Sequence, residues 1–125
     1  MILVDTSVWI EFFRQKNSAI DKILRGLLEE GEGVALSAVF GELLQGAKNE
    51  REEKAILEFW ESLPKIEEDG LFIEAGKLSR ELQLMVHGVG LVDSYILAAC
   101  RRSKLTLWSL DKKLNRAYTG LNDRA

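Results

Sequence analysis

Apolar residues along the chain alternate between a pattern typical of short buried strands and one typical of amphipathic helices. Residues 2–4 are an apolar, β-rich run, and the polar residues Asp5, Thr6 and Ser7 that follow are common at the start of helices. Residues 20–28 then place apolar side chains at the helical spacing i, i+3, i+4, i+7 and i+8. Further strand candidates are residues 33–37, 65–67 and 105–110.

This alternation of strands and helices continues to the end of the chain. It predicts an α/β fold with a mostly parallel central sheet, right-handed crossovers and helices on both faces. The 125 residues, of which 46% are hydrophobic, fit one domain with a substantial core. Ser37 is expected to cap a helix that contains Glu42, and a strongly apolar helix is expected from Leu91 to Cys100.

Composition and charge narrow the class of protein. The net charge is −3, whereas a dedicated nucleic-acid-binding domain is often strongly basic, although local basic patches remain compatible with this value. The single cysteine, Cys100, excludes an internal disulfide and suits a reducing compartment. No signal-peptide pattern and no run of 18 apolar residues is present, so we expect a soluble cytoplasmic protein that does not enter a membrane.

Four acidic residues occupy positions that matter in such a fold. Asp5 and Asp111 come directly after strand candidates, Asp93 falls in the first turn of a helix, and Glu42 lies early in another. Each has an ordinary structural explanation when it is taken alone, because acids cap helices, interact favourably with helix dipoles and cover solvent-facing surfaces. A parallel sheet, however, brings all four to the same edge.

Four converging carboxylates repel one another, and such a cluster persists mainly when a cation is present. Oxygen ligands without cysteine or histidine suit Mg²⁺ or Mn²⁺ rather than zinc. These ions bind phosphoryl oxygens and activate water, which is the chemistry of phosphodiester hydrolysis. The residues therefore predict a metal-dependent phosphoesterase.

Four segments in order resemble the motifs of PIN-domain nucleases, and specifically of the VapC-type toxin ribonucleases of toxin–antitoxin modules. The resemblance covers nearly the whole chain and includes the four acids. With the strand candidates above, it implies a single PIN-like domain over residues 1–125 with a sheet of four to five strands. The segments are Leu-Val-Asp-Thr-Ser-Val-Trp-Ile at 3–10, Leu-Ser-Ala-Val-Phe-Gly-Glu-Leu-Leu-Gln-Gly at 36–46, Asp-Ser-Tyr-Ile-Leu-Ala-Ala at 93–99 and Ser-Leu-Asp at 109–111.

The resemblance also implies roles for particular residues. Asp5 and Asp93 would be the principal ligands of Mg²⁺ or Mn²⁺, and Glu42 and Asp111 would complete the site directly or through water. Thr6 and Ser109 match small hydroxyl positions of the family and would orient carboxylates or a water.

The resemblance implies that the protein is an endoribonuclease that acts on tRNA, rRNA or mRNA. The resemblance implies inhibition by a small VapB-like antitoxin and pairing as a homodimer. Basic side chains that flank the acidic edge are expected to bind the RNA backbone, because the acids themselves repel it. These are Arg14, Lys16, Lys112, Lys113 and Arg116.

Two departures from the family pattern and three alternatives accompany this interpretation. Ser94 and Tyr95 replace small residues after the third acid, and a last strand near residues 120–122 would be reduced or absent. A Mg²⁺-binding signalling receiver domain or a haloacid-dehalogenase-type phosphatase would need acids that the Asp5-Thr6-Ser7 step lacks. A PIN fold used only as a non-catalytic scaffold remains an alternative, and His87 receives no role.

Overall fold

The structure, a computed structural model, describes residues 1–123 as three strands separated by groups of helices, seven helices in all. The strands are β1 (Ile2–Val4), β2 (Gly33–Val34) and β3 (Thr106–Trp108). The helices are α1 (Thr6–Arg14), α2 (Ser18–Glu29), α3 (Ser37–Gln45), α4 (Glu50–Ser62), α5 (Leu71–Leu82), α6 (Leu91–Ser103) and α7 (Lys112–Asp123).

The strands form one parallel sheet in the order β2-β1-β3. Leu3 of β1 pairs with Val34 on one side and with Leu107 on the other, so β1 is the central strand. Because all pairs are parallel, the carboxyl ends of the strands lie at the same edge. The predicted parallel α/β fold is therefore confirmed.

The predicted number of four to five strands is wrong for the described residues, which contain three. The candidate at 65–67 makes a single parallel bridge, between Lys65 and Ala35, because the chain turns away directly after Pro64. Residues 120–122 belong to α7, so no last strand forms there. An apolar face that continues at helical spacing through Leu114 and Leu121 explains the helix, since both side chains are buried.

The transition from β1 to α1 takes a single residue. Asp5 has extended backbone angles (φ −71°, ψ 159°), and its N–H donates to the carbonyl of Trp108 at 2.9 Å, which continues the β1–β3 pairing one residue beyond the strand. Its carbonyl then accepts from the N–H of Val8, the first bond of α1. Asp5 thus ends a strand and begins a helix, which leaves its side chain at the carboxyl edge of the sheet.

Two groups of helices cover the sheet with apolar side chains. α1 packs against α2 and α3, and the fully buried Trp9 lies at the centre of an aromatic cluster with Phe12, Phe13, Phe40 and Phe59. α6 packs against α5 and α7 through a run of buried residues from Ile96 to Cys100. Burial raises the pKa of the Cys100 thiol to about 12, so this cysteine is an inert core residue.

None of the helices in residues 1–123 is both long and apolar enough to cross a membrane.

Candidate active site

Asp5 is a nearly buried carboxylate, with 5% of its surface exposed. Its Oδ2 accepts hydrogen bonds from the hydroxyl of Ser109 at 2.7 Å and the hydroxyl of Ser7 at 2.8 Å, with a longer contact from the Ser7 N–H at 3.5 Å. All of these bonds end on Oδ2, so Oδ1 is not engaged by the part of the chain described here. Hydrogen bonds to an ionised carboxylate are strong, and they fix the orientation of Asp5.

Asp111 is tied to the same network from β3. The Ser109 hydroxyl, which donates to Asp5, also accepts from the N–H of Asp111 at 3.0 Å. The Asp111 Oδ1 accepts from the N–H groups of Lys113 and Leu114 at 2.8 and 3.1 Å and thereby caps α7. Ser109 therefore connects the two acids that follow strands.

Glu42 reaches the edge from the second turn of α3. Its Oε1 accepts from the hydroxyl of Thr6 at 2.7 Å, which ties α3 to the first residue of α1. Glu42 is exposed rather than half-buried, and it lines a cleft of about 150 Å³ together with Gly46 and Arg14. The open side at Gly46 leaves this carboxylate accessible from solvent.

Asp93 lies in the first turn of α6 and is half-buried. Burial, followed by the negative charges of Asp5, Asp111 and Glu42, raises its pKa to about 6. Because the charges of all three acids act on Asp93, these predicted acids lie within electrostatic range of it.

The donor set suits a hard divalent cation, although the carboxylates are not gathered as a ready cage. The charges that act on Asp93 are carboxylates and the side chains bonded to Asp5 are serine hydroxyls, and a cation would relieve the repulsion that raises the pKa of Asp93. No group of three acidic, histidine or cysteine residues within 1–123 is close enough to hold an ion. The Oε1 atom of Glu42 accepts from the Thr6 hydroxyl.

The basic residues predicted to bind RNA fall into two places. Lys112 and Lys113 begin α7 directly after Asp111, and Lys113 and Arg116 line a groove of about 530 Å³ with His87. All four of these side chains are exposed.

The other two predicted RNA-binding residues lie at the far end of α1. Arg14 pairs with Glu11 at 3.4 Å and lines the cleft beside Glu42. Lys16 lies in a separate groove with Asp21 and Arg25, which none of the four acids lines. Lys16 therefore lies in a groove that is separate from those lined by other members of the predicted set.

Two residues at or near the site were missed by sequence reasoning. Ser7 donates to Asp5 and accepts from the N–H of Leu110 at 2.9 Å, so it connects β1 to the turn after β3. Its position two residues after Asp5 is a common one for a hydroxyl in a helix start, which is a signal that could have singled it out. Glu68, considered below, carries no such signal because its partners are distant in sequence.

The family of the chain follows from a comparison with protein-family models. The model described as the PIN domain matches residues 2–120, nearly the whole chain. The chain belongs to the PIN domain family. PIN domains are generally nucleases that use divalent metal ions such as Mg²⁺, and this membership leaves the signalling receiver and phosphatase alternatives without support. A search of the curated proteins finds no matching relative.

Proposed function

We propose that this PIN domain is a Mg²⁺- or Mn²⁺-dependent endoribonuclease that hydrolyses phosphodiester bonds at the edge formed by Asp5, Glu42, Asp93 and Asp111. The observation that carries the proposal is the convergence of three acids on Asp93, at the carboxyl ends of parallel strands where α/β proteins bind their ligands. Four unpaired carboxylates are costly for stability alone, so a function that needs a cation explains their presence best.

The proposed division of work follows from how each acid is held. Asp5 and Asp93 are the principal ligands, because Asp5 has a free Oδ1 and Asp93 gains most from a neighbouring positive charge. Glu42 and Asp111 complete the site directly or through water, and Thr6 and Ser109 orient their carboxylate partners. When bound, the ion supplies positive charge to phosphoryl oxygens and lowers the pKa of a water molecule, which suits hydrolysis.

The RNA backbone needs positive charge that the acidic edge does not provide. We propose Lys112, Lys113 and Arg116 on α7 as the main phosphate contacts, because Lys112 directly follows Asp111 and the other two line an open groove. Arg14 and Lys16 form a second part of the track, with Arg14 supported by its place in the Glu42 cleft. The salt dependence of RNA binding measures this track, since each phosphate neutralised on a single strand adds roughly 0.7 to the slope.

The biological role proposed is that of a VapC-type toxin formed by one domain over residues 1–125, acting on tRNA, rRNA or mRNA in the cytoplasm. It rests on the sequence resemblance, which also implies a small VapB-like antitoxin across the groove and a homodimer. A neighbouring reading frame that encodes a small protein with a DNA-binding N-terminus would support this role. A PIN domain that serves only as a scaffold is the competing function.

The experiment that separates the nuclease from the scaffold is cleavage of RNA by the purified protein with and without divalent metal. We expect cleavage in Mg²⁺ or Mn²⁺, none in excess EDTA, and products with a 5′-phosphate and a 3′-hydroxyl. Undiminished cleavage in EDTA, or products that end in a 2′,3′-cyclic phosphate, would contradict the mechanism. Absence of cleavage under all metal conditions, with RNA binding retained, would favour the scaffold.

A further inference from the structure

Glu68 lies between α4 and α5, outside the four-acid site, and its carboxylate joins two helices. Its Oε2 accepts from the backbone N–H of Ser37 at 3.0 Å, and its Oε1 accepts from the hydroxyls of Ser37 and Tyr95. Ser37 is the first residue of α3, and Tyr95 lies near the start of α6. Glu68 therefore bridges the beginnings of these two helices.

The backbone that carries Glu68 is itself anchored on both sides. The N–H of Ala35 donates to the carbonyl of Pro64 at 2.8 Å, which ties the start of this segment to the extension of β2. The guanidinium of Arg102 on α6 donates to the carbonyl of Glu67 at 2.9 Å. Because its neighbours are held in this way, Glu68 is presented to α3 and α6 from a fixed position.

Capping of α3 explains only part of this arrangement. The sequence predicted Ser37 as the cap, whereas the structure has Leu36 at that position, and Leu36 offers no side-chain acceptor. Glu68 supplies the missing acceptor and places a negative charge at the helix N-terminus, where the helix dipole favours it. A cap does not require the additional bond from Tyr95, which belongs to another helix.

The two helices that Glu68 joins are those that carry Glu42 and Asp93. Glu42 lies five residues after Ser37 on α3, and Asp93 lies two residues before Tyr95 on α6. The two helices also pack against each other. A change in their separation therefore changes the distance between these two acids, neither of which is attached to a strand of the sheet.

We propose that Glu68 is a positioning residue that sets the separation of Glu42 and Asp93 by joining α3 to α6 through Ser37 and Tyr95. This inference rests on the proposed function, because its consequence is measured as the affinity of the site for the divalent cation. A site whose ligands are held at the wrong separation binds its ion more weakly, and loss of such outer contacts typically lowers metal affinity about 10- to 100-fold.

The sharpest variant is Tyr95→Phe, which leaves the ring against Phe72 and both Glu68–Ser37 bonds in place. It removes the Tyr95 bond to Glu68 together with the weaker 3.4 Å contact between the Tyr95 and Ser37 hydroxyls. We expect the Kd for Mn²⁺, measured by calorimetry without RNA, to rise about tenfold. Glu68→Ala, which also uncaps α3, should raise it further. In both variants the loss in free energy of Mn²⁺ binding should be larger than the loss in free energy of unfolding of the metal-free protein.

The matched control is Tyr118→Phe. The Tyr118 hydroxyl on α7 donates to the carbonyl of Leu105 at 3.2 Å, so this variant also removes one tyrosine hydroxyl, from a bond that involves neither Glu68 nor Arg102. A purely structural role of Glu68 predicts that Tyr95→Phe and Tyr118→Phe both lower the melting temperature and leave the Kd for Mn²⁺ unchanged. That result would overturn the inference.

A second measurement keeps the inference separate from the proposed function. Spin labels at the exposed positions Gln45 on α3 and Arg101 on α6, in a Cys100→Ala background, report the separation of the helices in EDTA. We expect a shifted or broader distance distribution in Tyr95→Phe and the parental one in Tyr118→Phe. If the unmodified protein binds no Mn²⁺, the proposed function is overturned, and the spin-label distances then test the role of Glu68 by themselves. Unchanged distances in Tyr95→Phe would refute that role.

Discussion

The four acids of the site divide into two pairs that are held in different ways. Asp5 and Asp111 follow strands, and one serine hydroxyl, that of Ser109, connects them. Glu42 and Asp93 project from helices, and within residues 1–123 no hydrogen bond joins either side chain to a strand. Glu42 is exposed and accepts from Thr6, whereas Asp5 is nearly buried and its Oδ2 receives two short hydrogen bonds and one longer contact.

Because of this difference, the two pairs of acids should differ in how freely their side chains can move. A carboxylate fixed by a strand end and by buried hydroxyls keeps its place without a cation, because strong hydrogen bonds offset its charge. A carboxylate on a helix surface keeps its place only as far as the helix does, and it can change rotamer at small cost. The strand pair is therefore the more firmly held part of the proposed site, and we expect the helix pair to be the more adjustable part.

The largest expected effect comes from Asp5→Asn in the fixed pair. Asparagine has one carbonyl oxygen that can still accept the hydrogen bonds now made to Oδ2, and it caps a helix about as well as aspartate. The metal-free protein should melt no lower than the parent, because repulsion with Asp93 is relieved. The neutral amide is a poor ligand for a hard cation, so RNA cleavage at limiting Mg²⁺ should fall by orders of magnitude.

The control for Asp5→Asn is Glu29→Gln, which removes one negative charge at the exposed end of α2. It should leave cleavage and the stabilisation by Mn²⁺ unchanged. If Asp5→Asn cleaves RNA as fast as the parent at limiting Mg²⁺, Asp5 is only a helix cap and the four-acid site as described is wrong.

An intermediate effect is expected from Ser109→Ala, which breaks the connection between the two strand-end acids. The variant removes a donor to a nearly buried carboxylate and an acceptor for the N–H of Asp111, so the free energy of unfolding should fall by about 2 kcal/mol. Metal affinity should fall about tenfold because Asp5 is no longer oriented. Urea denaturation in EDTA and Mn²⁺ calorimetry measure the two effects.

Ser62→Ala serves as the control for Ser109→Ala, since the exposed Ser62 hydroxyl donates only to the Phe59 carbonyl of its own helix at 3.4 Å. If Ser109→Ala proves no more harmful than Ser62→Ala in either measurement, the serine network does not distinguish the strand pair from the helix pair.

The smallest effect concerns the pH dependence of stability that Asp93 causes. Its pKa is about 6 in the folded protein and 3.8 ordinarily, so between these values the folded state binds the proton more tightly than the unfolded state. In EDTA, stability should therefore fall as the pH rises from about 4 to about 7 and stay lower above that range. Because Asp93 is only half-buried, the loss should be about 1 kcal/mol.

Asp93→Asn should remove this loss and be the more stable protein at pH 7.5 in EDTA, as measured by urea denaturation. Groups that do not interact with Asp93 contribute to both proteins alike, so the difference between the two pH profiles reports Asp93 and the acids coupled to it. Parallel profiles would mean that neither burial nor the other three acids raise the pKa of Asp93.

The comparison of the two pairs also explains what could be predicted from sequence. The positions of Asp5 and Asp111 followed from the apolar runs before them, because a strand end determines the edge at which the next residue lies. For Glu42 the sequence left two possibilities open, a half-buried place beside a cleft and an ordinary solvent-facing position, and the structure places it beside a cleft and exposed. Burial of a residue on a helix depends on neighbouring elements, which its own spacing does not specify.

The extent of the sheet illustrates the same limit. Residues 65–67 have strand-like composition, but only Lys65 pairs, since the Arg102 contact and the turn before α5 direct the chain away from β2. Residues 120–122 were assigned as a reduced strand or none by resemblance, whereas the apolar spacing of Leu114 and Leu121 continues a helix. Strand pairing requires a neighbouring strand in the right position and register, and the local sequence does not specify where that neighbour lies.

The sequence by itself determined the alternation of strands and helices, the parallel sheet, the membership of the PIN family and the four acids as a set, because each depends on local periodicity or on motifs in order. Only the tertiary structure decided which oxygen of Asp5 is occupied, that Ser7 joins the network, and that Glu68 rather than Ser37 caps α3 while it bridges to α6. Apart from the Ser7–Asp5 bond, these contacts join residues from 27 to 104 positions apart, and their formation depends on the packing of whole elements against one another.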